Sequence, residues 1–292
     1  MKTNHTHSGV HKPIVALMIA LSFGPGLQAP AQDTARSPMP SGVRIFFTGH
    51  SFHMFVPKLM DKVVVAAGID GHKLVGVQGI GGSRTIQHWD KPDAENKAKA
   101  ALKTGEVDVF TMAPHVLIPD EGITNFVALG LQNNPQMRFY VQASWFPFDV
   151  PDAEKRIRDN SQRDTMQIPE LQAAVDGWRS KLEAQIDELN KKHGRTAVFI
   201  VSAGDAVVRL RERIIAGKFP GITKQSELFR DPIGHGLAHV TALVTYCNYA
   251  AIYRTSPVGL KVGFPDIDAA QDKVLQEIAW ETVSNYKYAG VK

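Results

Sequence analysis

Ser51, Asp231 and His235 are of the types, and stand in the surroundings, from which a polypeptide can build a nucleophile for acyl transfer. A serine hydroxyl is weakly nucleophilic at neutral pH until a neighbouring base takes its proton, and the oxyanion formed on the attacked carbonyl needs fixed N–H donors. Ser51 closes the segment Ile45-Phe-Phe-Thr-Gly-His-Ser51, where a buried strand meets a turn. Its hydroxyl is therefore expected at a sheet edge and its N–H at a helix start. Such a Gly-x-Ser turn alone more often caps a helix than attacks a substrate. It gains meaning from His235, which can serve as the base, and from Asp231, four residues earlier, whose carboxylate can hold the imidazole in the useful tautomer. Asp205, directly behind a later strand, reads first as a helix N-cap and second as a reserve orienter for His235.

Other features invite rival chemistry. His50 with His53, and His235 with His239, have spacings that metal ligands use, the second pair on one helix face. Neither pair supplies a third ligand, so solvent-facing or capping roles outweigh zinc, and no metal is expected. Gly79-Ile-Gly-Gly-Ser83 lacks both the Gly-Lys-Ser/Thr ending of a P-loop and the full Gly-x-Gly-x-x-Gly spacing, so no nucleotide or other cofactor is expected. Trp89, Trp145 and Phe146 could stack on a sugar ring or an apolar acyl chain, or simply pack the core. Cys247 falls on an apolar helix face as a small buried hydrophobe.

The elements that must position these groups alternate. Strands are expected at Val43–Phe47, Lys73–Val77, Val107–Thr111, Arg138–Ala143 and Thr196–Val201. Helical spacing falls between them at Pro57–Gly68, Asp93–Lys103, Ile123–Leu131 and Pro169–Lys192, then at Ala206–Ala216 and from about Gly236 to Tyr253. Strands separated by helices of this length imply parallel crossovers. The fold class is α/β: a flavodoxin-like three-layer α/β/α sandwich around a mainly parallel five-stranded sheet. Ligands in such sheets bind outside the carboxyl ends of the strands, which selects the loops at Ser51, at Gly79–Ser83, at Met112–His115 and at Ser144–Phe146. The charged stretch Asp149–Asp164 is expected as a mobile excursion over the site.

The start of the chain is different in kind. Lys2 and Lys12 lead into the apolar run Ile14–Phe23 and then Ala29-Pro-Ala31, the order of a secretory signal peptide, with a run too short to span a bilayer. Residues 1–31 are therefore expected as a signal peptide, 32–42 as a flexible lead-in, and 43–292 as one domain, secreted or periplasmic and free of the membrane after cleavage. The formal charge of +4 falls to +2 without the leader, which demands no nucleic acid or anionic membrane. The single cysteine excludes an internal disulfide, so stability rests on the core. The oligomeric state is not legible.

Three blocks, in order across about residues 43–260, resemble those of the SGNH (GDSL-like) hydrolase superfamily. Ile45–Ser51 looks like its nucleophile block and Gly79–Ser83 like its glycine block. Asp231-Pro-Ile-Gly-His235, followed by a helix and Tyr253–Leu260, looks like its acid–base block. The resemblance implies an ester hydrolase with Ser51 as nucleophile, His235 as base and Asp231 as its orienter. Gly82 and the Ser51 N–H would serve as oxyanion donors. An exported enzyme of this kind would meet a small-molecule or carbohydrate ester. Three departures stand against the pattern: His50 replaces the usual Asp or Asn before the serine, acid and base stand four rather than three apart, and no Gly-x-Asn-Asp follows the third strand. His115 lies where a side-chain donor could replace that asparagine. These departures motivate an alternative, a non-catalytic carbohydrate- or ligand-binding protein on the same fold.

Overall fold

The computed structural model describes residues 40–291 together with Gly9, so the rest of the expected leader and most of the lead-in lie outside the described residues. In chain order the elements are β1 (Arg44–Gly49), α1 (Val56–Ala66), β2 (Lys73–Gly79), α2 (Thr85–Trp89), α3 (Lys97–Lys103), β3 (Val109–Ala113), α4 (Glu121–Asn133), β4 (Arg138–Gln142), α5 (Ile168–Lys192), β5 (Val198–Val201), α6 (Ala203–Ile215), α7 (Ala238–Tyr253) and α8 (Ala269–Ser284). The five strands are all parallel, in the order β2-β1-β3-β4-β5. Strands β1, β3, β4 and β5 are apolar runs buried on both faces, as a parallel sheet covered by helices requires.

The two-residue period of the strands feeds two cores. Ile45, Phe47, Tyr140, Phe199 and Val201 point to one face, where α1, α6, α7 and α8 pack; Phe46, Phe110, Met112, Phe139, Val141 and Ile200 point to the other, under α3, α4 and α5. The layers are those of the α/β/α sandwich. Among the described residues no helix is long and apolar enough to cross a membrane.

Several boundaries shift for local reasons. β1 runs on to Gly49 because Thr48 and Gly49 pair with Gln78 and Gly79 on one side and with Met112 and Ala113 on the other. Gly49 is needed for that approach, since a methyl there would meet Ala113 Cβ at 2.7 Å. β3 begins at Val109, not Val107, because Asp108 spends its carboxylate on the backbone N–H and guanidinium of Arg44. The helix expected from Asp93 breaks at Asn96, whose side chain caps Lys99 N–H. α2 has too few residues to show periodicity.

Candidate active site

The sheet order places a switch point between β1 and β3, the crevice where ligands bind in folds of this kind. Ser51 follows β1 by two residues and His115 follows β3 by two. The turn at Ser51 is fixed by its neighbours. His53 and Met54 donate their N–H groups to His50 O at 2.9 and 3.1 Å. Gln142 of β4 donates to Phe52 O at 2.9 Å and accepts from His53 Nδ1 at 2.7 Å. His50 accepts from Phe52 N–H and donates through Nε2 to Pro114 O at 3.2 Å, so it ties the serine turn to the loop carrying His115. Burial pushes both His50 and His53 down to about 4, leaving them neutral at pH 7.

Ser51 is exposed, and its hydroxyl lies 2.9 Å from His235 Nε2. His235 Nδ1 lies 2.7 Å from Asp231 Oδ2. The four-residue spacing works because the loop closes on the carboxylate: Asp231 Oδ1 also accepts the N–H groups of Gly234 at 3.0 Å and His235 at 3.2 Å. Gly234 has φ +102°, a left-handed conformation that disfavours other residues. Burial works to raise the Asp231 carboxyl, but the hydrogen bonds from His235 and Gly234 outweigh it and hold the group below its ordinary value. The Phe52 ring meets His235 edge-on and stacks on Trp145, whose indole N–H donates to Gly234 O at 2.9 Å.

Beneath this loop lies a buried ion cluster that sequence reasoning missed. Arg163 is wholly buried, pairs with Asp149, and donates through Nη2 to Asp231 O at 3.1 Å and Pro232 O at 2.7 Å. Asp149 is also held by Arg211 at 2.7 Å, and the Phe229 ring lies under both guanidiniums. The expected excursion is therefore not loose: it folds into three short 3₁₀ turns, stitched down by Arg163, by Asn160 to Ser226 O and Phe229 O, and by Asp164 to Ser226. In a single sequence these charges read as a solvated run.

The glycine loop has its own support. Ser83 Oγ donates to Ile80 O and so accepts from His88 Nε2 at 2.7 Å; His88 Nδ1 in turn accepts from the Thr48 hydroxyl at 2.9 Å. The relay fixes a neutral tautomer, and burial pushes His88 down to about 4. Asp120, fully buried, accepts from Thr85 and Ile86 N–H at the start of α2 and from Gly122 N–H at the start of α4. Gly82, at φ +60°, lines the same cavity as Ser51 and His115. His115 is half-buried, and burial, with Arg156 and Arg84 nearby, pushes its ring down, so at pH 7 it carries one N–H donor.

The remaining residues singled out in the sequence lie elsewhere in the fold. Asp205 is not the cap of α6, and Asp231, not Asp205, holds His235: Asp205 sits in the first helical turn and pairs with Arg179, accepting also from Gln172 at 2.9 Å. His239 bonds Gln271 at 3.1 Å, and because α7 starts only at Ala238 it shares no helix face with His235. Among the described residues no three His, Cys, Asp or Glu side chains are grouped to hold a metal ion. Trp89 packs on Phe126, away from the cavity that Trp145 helps to line. Cys247 is fully buried.

No protein-family model and no curated protein matches the sequence. Solved structures do. A DUF4886 family protein from Bacteroides uniformis superposes with TM-score 0.57 at 13% identity over 84% of this chain and 95% of that one. A candidate SGNH hydrolase from Slackia heliotrinireducens (TM-score 0.42, 14% identity, 71% and 97% coverage) and a candidate GDSL-like lipase from Parabacteroides merdae (0.39, 10%, 87% and 98%) are more distant. At these identities the likeness concerns the fold alone. The chain has an α/β/α fold, with five parallel strands in the order 2-1-3-4-5 between two helical layers, similar to the fold of the DUF4886 family protein.

Proposed function

We propose that the protein is an exported serine hydrolase of carboxylic esters. One observation carries the reading: a carboxylate, an imidazole and a hydroxyl stand in line at 2.7 and 2.9 Å beside a cavity at the sheet's switch point. In this reading Ser51 Oγ attacks the ester carbonyl as His235 Nε2 takes its proton, and Asp231 stabilises the imidazolium. The N–H groups of Ser51 and Gly82, with the neutral His115 ring, face the oxyanion. Collapse breaks the ester C–O bond, His235 returns the proton to the leaving alcohol, and water repeats the cycle on the acyl-enzyme. The exposure of Ser51 suits a bulky alcohol such as a carbohydrate hydroxyl.

The leader-like residues 1–31 support export, and the mature chain would need no membrane or cofactor. Purified protein should hydrolyse activated esters, and Ser51→Ala should abolish this without unfolding. Unchanged hydrolysis in that variant would refute the proposal.

A further inference from the structure

The cavity beside Ser51 has a volume of about 210 Å³ and a largely apolar lining. Ser51, Gly82 and His115 line it together with the apolar Val116, Pro147, Phe148, Trp178 and Ile233. His235 does not line it. Since His235 must reach the leaving alcohol, a cavity that contains the oxyanion side of the serine but not the base lies on the acyl side. Its polar side chains are few: His50 uses both ring nitrogens, the Ser144 hydroxyl accepts from Gln142, and the indole N–H of Trp178 is buried without a hydrogen-bond partner. A sugar or charged acyl group would find too few partners there for its own polar atoms, which is costly.

The wall is also rigid. Phe148 and Asp149 both hold left-handed backbone at φ 57° and 65°, a conformation that persists only where the surroundings enforce it. Here Asp149 is clamped between Arg163 and Arg211, and Phe148 N–H donates to Ile233 O at 3.0 Å. A closed apolar cavity of about 150 Å³ suffices to take up benzene. Building on the hydrolase reading above, we infer that this site selects an apolar acyl group of about six to eight carbons, and not acetyl.

The test is hydrolysis of p-nitrophenyl esters from acetate to dodecanoate, followed by an alcohol series at fixed acyl group. The expected result is a kcat/KM that rises about fourfold per added methylene until the cavity fills near hexanoate to octanoate. Val116→Phe should lower octanoate hydrolysis at least tenfold more than acetate hydrolysis, and Phe148→Gly should move the optimum to longer chains. An acetate optimum in an active enzyme, a length preference that follows the alcohol, or ratios unmoved in both variants would overturn the inference and leave the hydrolase reading standing. Absence of hydrolysis across the whole series would sink the hydrolase reading, and this inference with it.

Discussion

On one flank of Ser51, Arg163, Asp149 and Arg211 lie ion-paired and almost wholly buried beneath the Asp231–His235 loop. On the other, Thr48, His88 and Ser83 form a neutral relay beneath the glycine loop. Both supports fix backbone that carries a residue of the candidate site, yet they fail differently. A buried charge stripped of its partner is left uncompensated, so the ionic flank should break abruptly. The neutral flank loses only hydrogen bonds, but it works only while its histidine stays unprotonated.

The largest expected effect separates chemistry from support on the ionic flank. Asp231→Asn keeps an acceptor for Gly234 and His235 N–H but reverses the tautomer preference, so kcat should fall by about 10³–10⁴ with the melting temperature nearly unchanged. A parallel loss of stability would show that Asp231 holds the loop more than it orients the base. Next, Asp149→Ala leaves two guanidiniums facing each other in the interior and should cost about 3–5 kcal/mol in urea unfolding. If the cost stays within that of an ordinary surface change, the ionic flank is not a structural support.

The neutral flank should respond less. His88→Gln removes one buried partner and should cost about 1–3 kcal/mol, with a fall in kcat as Gly82 loosens. It should also change the response to acid. His88 is held down to about 4 in the fold against an ordinary 6.5, so the unfolded chain binds the proton first as pH falls. Stability on this account is full above about pH 6.5 and declines as pH drops toward 4, with His50 and His53 adding to the slope. Denaturant melts between pH 7 and 4 should show a shallower decline in His88→Gln, and an unaltered slope would contradict the relay. The smallest effect is expected at Gly82. No atom lies within 4 Å of an added Cβ, so Gly82→Ala meets only its left-handed backbone, about 1 kcal/mol.

The contrast also explains what could be read from the sequence. The hydrogen-bonded line of Asp231, His235 and Ser51 was legible because local chain features mark these residues: a strand ending in Gly-x-Ser, and an acid and a base within one short loop. The parallel sheet was legible for the same reason, since apolar strands and helices alternate at short range. The supports were not. Arg163 finds its partners 14 and 68 residues away, and His88 bonds Thr48 across 40. Nothing local distinguishes Arg163 from its charged neighbours or His88 within Gln-His-Trp; only the tertiary arrangement selects them. Asp205 failed in the opposite direction, a helix-start acid whose partner, Arg179, comes from the preceding helix.

The central claim is that Ser51 carries the acyl group. Folded protein treated with a fluorophosphonate probe should gain one adduct, mapped by peptide mass to Ser51, with labelling lost in Ser51→Ala and much slowed in His235→Ala. Folded, unlabelled wild-type protein, or an adduct on another residue, would contradict the account.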